Sequence, residues 1–344
     1  QPHAEIEIFC QRWDGEQLPG VPTHVLPPKG WGATARRRHF VACVQAAVQG
    51  KFDRVIGFNR MPGLDYYFAA DTSFAWRAMH QRNWLYRMTP RARQYLAFEK
   101  AVFGRHVSTV SLLLSNLQRQ QYEEMYHPPA HRLVDLPPGI SQDHCAGENA
   151  ARLRASLRDE FQLQEDELLV LQVGSSFRTK GVDRSLQALA ALPAALRARV
   201  HYILLGQDNA APWRKQAQKL GLKGVHIEAG RTDIPRCMQG ADVLLHPSRH
   251  ESAGMVLLEA VVAGLPVLTT AACGYAMHVE NAEAGLVCAE PFHQDALNAH
   301  LEYMLTTDRS SWRAKGIDYG KSHDLYAMPQ RVADILLASG GGHD

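Results

Sequence analysis

Apolar runs recur at a regular beat through the second half of the chain. Residues 168–173, 200–205, 225–227, 243–246 and 266–269 are short and almost continuously hydrophobic, and helical patterns of about 8–14 residues lie between them. Strands alternating with helices at this spacing predict a parallel sheet covered by helices on both faces. Ligands of such sheets bind outside the carboxyl ends of the strands. Three polar loops fall there: residues 174–181, Gly206-Gln207-Asp208, and residues 247–254.

The first half is less regular. Residues 4–9 alternate like a strand, 13–32 are rich in glycine and proline and read as loop, and 34–48 read as a helix opening on Arg36, Arg37 and Arg38. Residues 54–58, the apolar run 66–70 leading into Asp71, 107–114 and 132–136 read as strands, with a helix capped by Ser115 running to about Tyr126. Pro137-Pro138-Gly139-Ile140 stops the last strand, and a polar stretch follows. This places a domain boundary at 140, giving domains 1–140 and 141–322. A terminal segment, 323–344, holds an amphipathic helix after a break at Gly320 and is expected to pack back on the first domain.

A length of 344 residues suits two domains, and 46% apolar with 21% charged residues is ordinary for a globular protein. The six cysteines are scattered without a C-x-x-C, which favours reduced thiols over a disulfide framework or a zinc site. His246 and His250 have ligand spacing, but Pro247 between them argues against a shared helix face. The opening Gln1-Pro2-His3-Ala4-Glu5 does not read as a signal sequence. The most apolar run, 253–277, is interrupted by Glu259, Gly264 and Pro266 and so reads as helix–turn–strand, not as a membrane span.

Charge changes the picture more than composition does. The net +2 hides an asymmetry: residues 1–140 carry 17 Lys/Arg against 11 Asp/Glu, leaving 20 against 24 for the rest. A basic first half implies an anionic partner. Residues 74–103 concentrate the effect, with Arg77, Arg82, Arg87, Arg91, Arg93 and Lys100 interleaved among seven aromatic residues and Glu99 as the only acid. A basic, aromatic, helical stretch suits an anionic bilayer surface; the plainer alternative is a helical pair that buries its rings and solvates its arginines. Nucleic acid is disfavoured because no nucleic-acid fold signature accompanies the charge.

Candidate chemistry sits in two of the polar loops. In residues 249–267, Glu251 and Glu259 bracket Ser252-Ala253-Gly254 at an expected helix start, with Glu259 about two turns in and on the same side. Small residues at a helix N-terminus let backbone N–H groups approach an anion or a hydroxyl-rich ligand. Glu259 lies in an otherwise wholly apolar helix, and a buried carboxylate needs a partner, for which a pair of ligand hydroxyls is one candidate. The loop 174–181 lacks Walker A spacing, but Arg178 and Lys180 at a strand's carboxyl end suit a diphosphate.

These motifs resemble those of retaining glycosyltransferases of family 4, which have the α/β GT-B fold of two Rossmann-like domains facing across a cleft. The resemblance rests on Lys180-Gly181 after the first strand of the second domain, Glu251 and Glu259 as E-x7-E, and Ala263-Gly264-Leu265-Pro266-Val267. More narrowly, residues 55–65, Gly181-Val182-Asp183-Arg184-Ser185, Leu244-Leu245-His246-Pro247 and residues 268–275 resemble the bacterial lipopolysaccharide core glucosyltransferase I group.

The resemblance implies a hexosyltransferase that moves glucose from UDP-glucose to a heptose of the lipopolysaccharide inner core by an α-1,3 linkage. Lys180 with Arg178 would stabilise the leaving diphosphate. Glu251 and the backbone of Ala253, Gly254, Met255 and Val256 would hold the donor sugar and phosphates, and Glu259 would accept hydrogen bonds from the ribose hydroxyls. Asp71 is the expected acceptor-side catalytic residue, beside Glu251 and Lys180. In the family's front-face mechanism a donor phosphate oxygen takes the acceptor proton, so the protein supplies positioning and electrostatics. No D-x-D motif occurs, and no metal or other cofactor is implied.

The expected partners are the nucleotide-sugar donor, a phosphorylated lipopolysaccharide acceptor and an anionic membrane surface met by residues 74–103. The expected place is peripheral, on the cytoplasmic face of the inner membrane. Two departures stand out: Thr179 occupies the position before Lys180 where the family often has a basic residue, and the first domain reads as lacking its opening strand and helix. The alternatives are a hexosyltransferase acting on another glycolipid and a non-catalytic membrane-associated scaffold. A Rossmann oxidoreductase is disfavoured because no G-x-G-x-x-G follows a predicted strand.

Overall fold

The structure, a computed structural model, describes residues 4–338. It divides into two compact units: residues up to 113 with 118–135, and residues 114–117 with those from 136 on.

In the first unit, β1 (Ile8–Cys10) and β2 (Thr23–Val25) pair in parallel as a small separate sheet, β2 lying inside the stretch read as loop. Helix α1 (Gly32–Val48) buries Phe40, Val41 and Val44. Next come β3 (Ile56–Gly57), β4 (Tyr66–Phe68), α2 (Phe74–His80), α3 (Trp84–Met88), α4 (Pro90–Phe103), β5 (Val110–Leu113), α5 (Asn116–Tyr126) and β6 (Leu133–Asp135). Strands β3 to β6 form a parallel sheet in chain order. The stretch 74–103 is three helices because three side chains cap helix starts in succession. Ser73, Asn83 and Thr89 each accept from the backbone N–H three residues on, and Pro90 follows the last at a position where its missing N–H costs nothing.

The second unit comprises α6 (Ala150–Glu160), β7 (Leu168–Val173), α7 (Val182–Ala191), α8 (Ala194–Arg197), β8 (Val200–Leu205), α9 (Ala211–Lys219), β9 (Val225–Glu228), α10 (Ile234–Gly240), β10 (Val243–His246), α11 (Met255–Val262), β11 (Val267–Thr270), α12 (Ala276–Asn281), β12 (Gly285–Cys288), α13 (Gln294–Thr306), α14 (Ser310–Ser322) and α15 (Met328–Ala338). The sheet is wholly parallel and ordered β12-β11-β10-β7-β8-β9. Leu169, Val170, Leu171, Val243, Leu244 and Leu245 have no exposed surface. That is why these strands read as nearly continuous apolar runs: both sheet faces are covered.

Strand β12 leaves little trace in the sequence, because it is a half-buried edge strand paired with β11 and carries no clear alternation. One expectation is corrected here. The break at Gly320 is absent, and α14 continues to Ser322. A Cβ on Gly316 would lie 2.5 Å from the Val261 carbonyl oxygen and one on Gly320 would lie 2.8 Å from Val262, so α14 needs small residues to approach α11. Close packing thus outweighs glycine's weak helix propensity. After α14, Ile140 donates its backbone N–H to Leu325 and Met328 donates to Pro138, contacts that lie within the second unit.

Candidate active site

The order of the second sheet reverses between β7 and β10. From β7 the chain proceeds outward through β8 and β9, and from β10 it proceeds the other way through β11 and β12. Such a reversal is the usual ligand position in an open parallel sheet, outside the carboxyl ends of the two strands. The loop after β7 holds Arg178 and Lys180; the loop after β10 holds Glu251.

These two loops are bolted together. Gly181 sits at φ +72°, and a Cβ there would lie 2.1 Å from the Pro247 carbonyl oxygen. Arg249 grips Asp183 with two hydrogen bonds of 2.8 and 2.7 Å and donates to the Arg178 carbonyl at 2.7 Å. Ser248 Oγ donates to the Thr179 carbonyl at 3.0 Å. Beneath them, the buried Gln172 donates to the Lys180 carbonyl at 2.8 Å while its own oxygen accepts from Ser185 and Tyr202. The backbone that carries Lys180 is therefore fixed from both sides.

Held this way, the Lys180 ammonium forms an ion pair with Glu251 Oε1. Glu251 lies outside α11. Its N–H donates to Ala272 and its carbonyl accepts from Gly274, which stitches it to the turn after β11. Its other oxygen meets His246 Nε2 at 2.8 Å. Burial pushes this carboxyl up, but His246 and Lys180 outweigh burial and bring it down to about 2. Glu251 is a fixed negative charge at neutral pH.

His246 Nε2, a Glu251 oxygen and Cys273 Sγ lie within 4.8 Å of one another, donor types that could hold a transition metal. One feature opposes that use: the Lys180 ammonium already occupies the carboxylate.

Helix α11 starts at Met255 after Gly254, whose φ of +91° turns the chain into the helix. The expectation of two glutamates along one helix side is corrected. Glu259 is the fifth helical residue, in the second turn, while Glu251 is held off the helix by its bonds to the turn 272–274. The first N–H groups of a helix lack intrahelical partners, so Gly254, Met255 and Val256 present donors at the switch point. Ala253 is buried, and its carbonyl accepts from Tyr275. Glu259 lies 3.7 Å from His144, and burial raises its carboxyl. Arg178 is exposed on the loop surface.

Asp71 belongs to the first unit. Its backbone carbonyl accepts from Gln118 at 3.0 Å and from Tyr122 at 2.9 Å, while its carboxylate, 67% exposed, pairs with Arg60 at 3.1 Å. Arg60 is itself buried and ion-paired to Glu99, which has no exposed surface. Glu99 also accepts from Ser73 Oγ at 2.8 Å and from the N–H groups of Phe74 and Ala75 at 2.7 and 2.9 Å, so it caps the start of α2 from α4. Neither Arg60 nor Glu99 was read as part of a site. The available signals were slight: Glu99 is the one acid in a basic stretch, and His246 is the one polar residue of β10.

Residues 154–323 match the family described as glycosyl transferases group 1. Over 343 residues the chain is 41% identical to lipopolysaccharide glucosyltransferase WaaG of Escherichia coli (strain K12), covering 98% of this chain and 91% of that protein. The chain belongs to the lipopolysaccharide glucosyltransferase family. The crystal structure of WaaG, described as a glycosyltransferase involved in lipopolysaccharide biosynthesis, superposes on this transferase with a TM-score of 0.93 at 40% identity, covering 98% of this chain and 92% of that one. Sucrose-phosphate synthase from Thermosynechococcus elongatus shares the fold at 18% identity, with a TM-score of 0.75 and coverage of 98% and 90%. The transferase thus has the α/β GT-B fold and is a hexosyltransferase.

Proposed function

We propose that this transferase moves glucose from UDP-glucose to a heptose of the lipopolysaccharide inner core with retention, forming an α-1,3 linkage. The observation that carries the reading is the convergence of Lys180 and Glu251, 71 residues apart in sequence, on one ion pair at the switch point of the second sheet. The donor diphosphate takes Lys180 and Arg178, the sugar and phosphates take Glu251 and the N–H groups from Ala253 to Val256, and the ribose hydroxyls donate to Glu259. The acceptor hydroxyl forms its bond to the anomeric carbon on the face from which the diphosphate leaves. Its proton passes to a phosphate oxygen, and UDP departs as its bond to that carbon breaks. Lys180 offsets the charge developing on UDP, a task that positioning and fixed charge can perform. Asp71 acts on the acceptor side. No metal enters this scheme; the two cations do the neutralising.

The reading includes a peripheral position at the cytoplasmic face of the inner membrane. No helix among the described residues is long and apolar enough to cross a membrane. Within 74–103 the apolar side chains divide between two tasks. Phe103 is fully buried against Tyr122, and Phe74 stacks on Tyr95 at 5.0 Å, whereas Trp84, Leu85 and Met88 are all more than half exposed. Arg82, Arg91 and Arg93 are exposed as well, and the segment's only acid is buried. An apolar and basic surface of this kind suits anionic headgroups.

The test is thermal shift and turnover with UDP, UDP-glucose, UDP-GlcNAc and GDP-mannose, using a heptose-terminated core acceptor. A ligand that binds only the folded chain raises its melting temperature by mass action. A shift specific to uridine nucleotides and lost on Glu259→Ala, with turnover of UDP-glucose alone, supports the reading. Turnover of another donor transfers it to a different hexose, and no shift with any nucleotide removes it.

A further inference from the structure

We propose that His246 is a positioning residue for the donor site, keeping Glu251 anchored so that Lys180 is free to leave that carboxylate for the donor diphosphate. This rests on the donor-site reading of Lys180 and Glu251.

In this structure one carboxylate serves two partners, Lys180 on Oε1 and His246 Nε2 on Oε2. A diphosphate drawing Lys180 away takes one of them, and a buried carboxylate stripped of charged partners is costly. His246 remains. It closes β10 with a fully buried ring, so the imidazole has little room to swing with the ligand. Filling space does not explain this residue. Its three strand neighbours are Val243, Leu244 and Leu245, and its Nδ1 is buried without a hydrogen bond, a cost an aliphatic residue would avoid. What the ring gains in return is the bond to Glu251. The other groups facing that carboxylate are Lys180, from the loop after β7, and Cys273, from the turn after β11, whose Sγ stands 3.9 Å from Oε2 and accepts from Thr269. Cys273 offers only a weak S–H donor, so without His246 the Glu251 carboxylate would lean on Lys180 alone.

The experiment is a pH profile of kcat/KM for UDP-glucose, a donor whose diphosphate diester does not titrate near neutrality. The variants are His246→Leu, His246→Gln, Glu251→Gln and the His246→Leu/Glu251→Gln double. Removing the ring nitrogen lets the Glu251 carboxyl bind a proton at higher pH. His246→Leu should therefore lose on the order of tenfold more activity, relative to wild type, at about pH 5.5 than at about pH 8. His246→Gln keeps an N–H donor and should restore the wild-type profile. The double variant should be no worse than Glu251→Gln alone, because His246 acts through that carboxylate. A loss of equal size at every pH, without rescue by glutamine, or full additivity in the double variant, overturns the proposal. If Lys180→Ala and Glu251→Gln both leave turnover intact, it is the donor-site reading that has failed. Melting temperatures of every variant separate these results from misfolding.

Discussion

Gly181→Ala tests how the Lys180 loop is mounted. The new Cβ would stand 2.1 Å from a carbonyl oxygen where ordinary contact begins at 3.4 Å, and that oxygen belongs to the Pro247 backbone and cannot rotate aside. The loops carrying Lys180 and Glu251 must then separate by about 1 Å, a displacement that can cost on the order of 10²-fold in rate. Left-handed backbone adds about 1–2 kcal/mol for alanine, and overpacking about 1–3 kcal/mol. Gly221→Ala is the matched control, since Gly221 has φ +69° in the same unit with nothing within 4 Å of its would-be Cβ. It incurs the backbone term alone and should turn over UDP-glucose at the wild-type rate. At about 2–4 °C per kcal/mol for a unit of this size, Gly181→Ala should melt about 2–12 °C below the control. The assay is calorimetric melting of both variants beside donor turnover. Equal melting temperatures, or a Gly181→Ala enzyme as active as the control, would refute the claim that this close approach sets the site.

Lys180→Ala should lower kcat/KM for UDP-glucose by on the order of 10²–10³-fold, as removal of a charge-stabilising donor commonly does, while Arg178→Ala, on the exposed side of the loop, should cost less; steady-state kinetics decides. Glu251 has its folded-state carboxyl depressed from about 4.5 to about 2, so its contribution to stability is present above about pH 4.5 and is lost as pH falls toward 2. The shift corresponds to about 3 kcal/mol, and in urea melts the advantage of wild type over Glu251→Gln should shrink steadily below about pH 4.5. Glu99→Ala leaves the Arg60 side chain with the exposed Asp71 carboxylate as its remaining ion-pair partner and should cost up to about 3–5 kcal/mol by urea denaturation, whereas replacing both with methionine should cost less. Binding to anionic vesicles should weaken with salt and be lost when Arg87, Arg91 and Arg93 become glutamine; unchanged binding would return residues 74–103 to an internal packing role.

Local physics made the second unit legible from its sequence. Strands β7, β8 and β10 are legible to the residue because parallel strands buried on both faces leave a nearly continuous apolar record. Lys180-Gly181 and the Glu251/Glu259 spacing announced a ligand site because each places charge where a strand ends and a helix begins. Tertiary structure decided the rest, since it depends on residues that meet only after the chain folds back. Gly320 looks like a break until α14 must approach α11 closely. Glu251 reads as a loop residue, and only the fold shows that the turn at Ala272 and Gly274 holds its backbone. Arg60 and Glu99, 39 residues apart, and Gln172 beneath Lys180 show no local pattern, because a buried polar group is justified only by the partner that the fold brings to it. Sequence periodicity records which way each residue faces, and only the folded chain specifies what it faces.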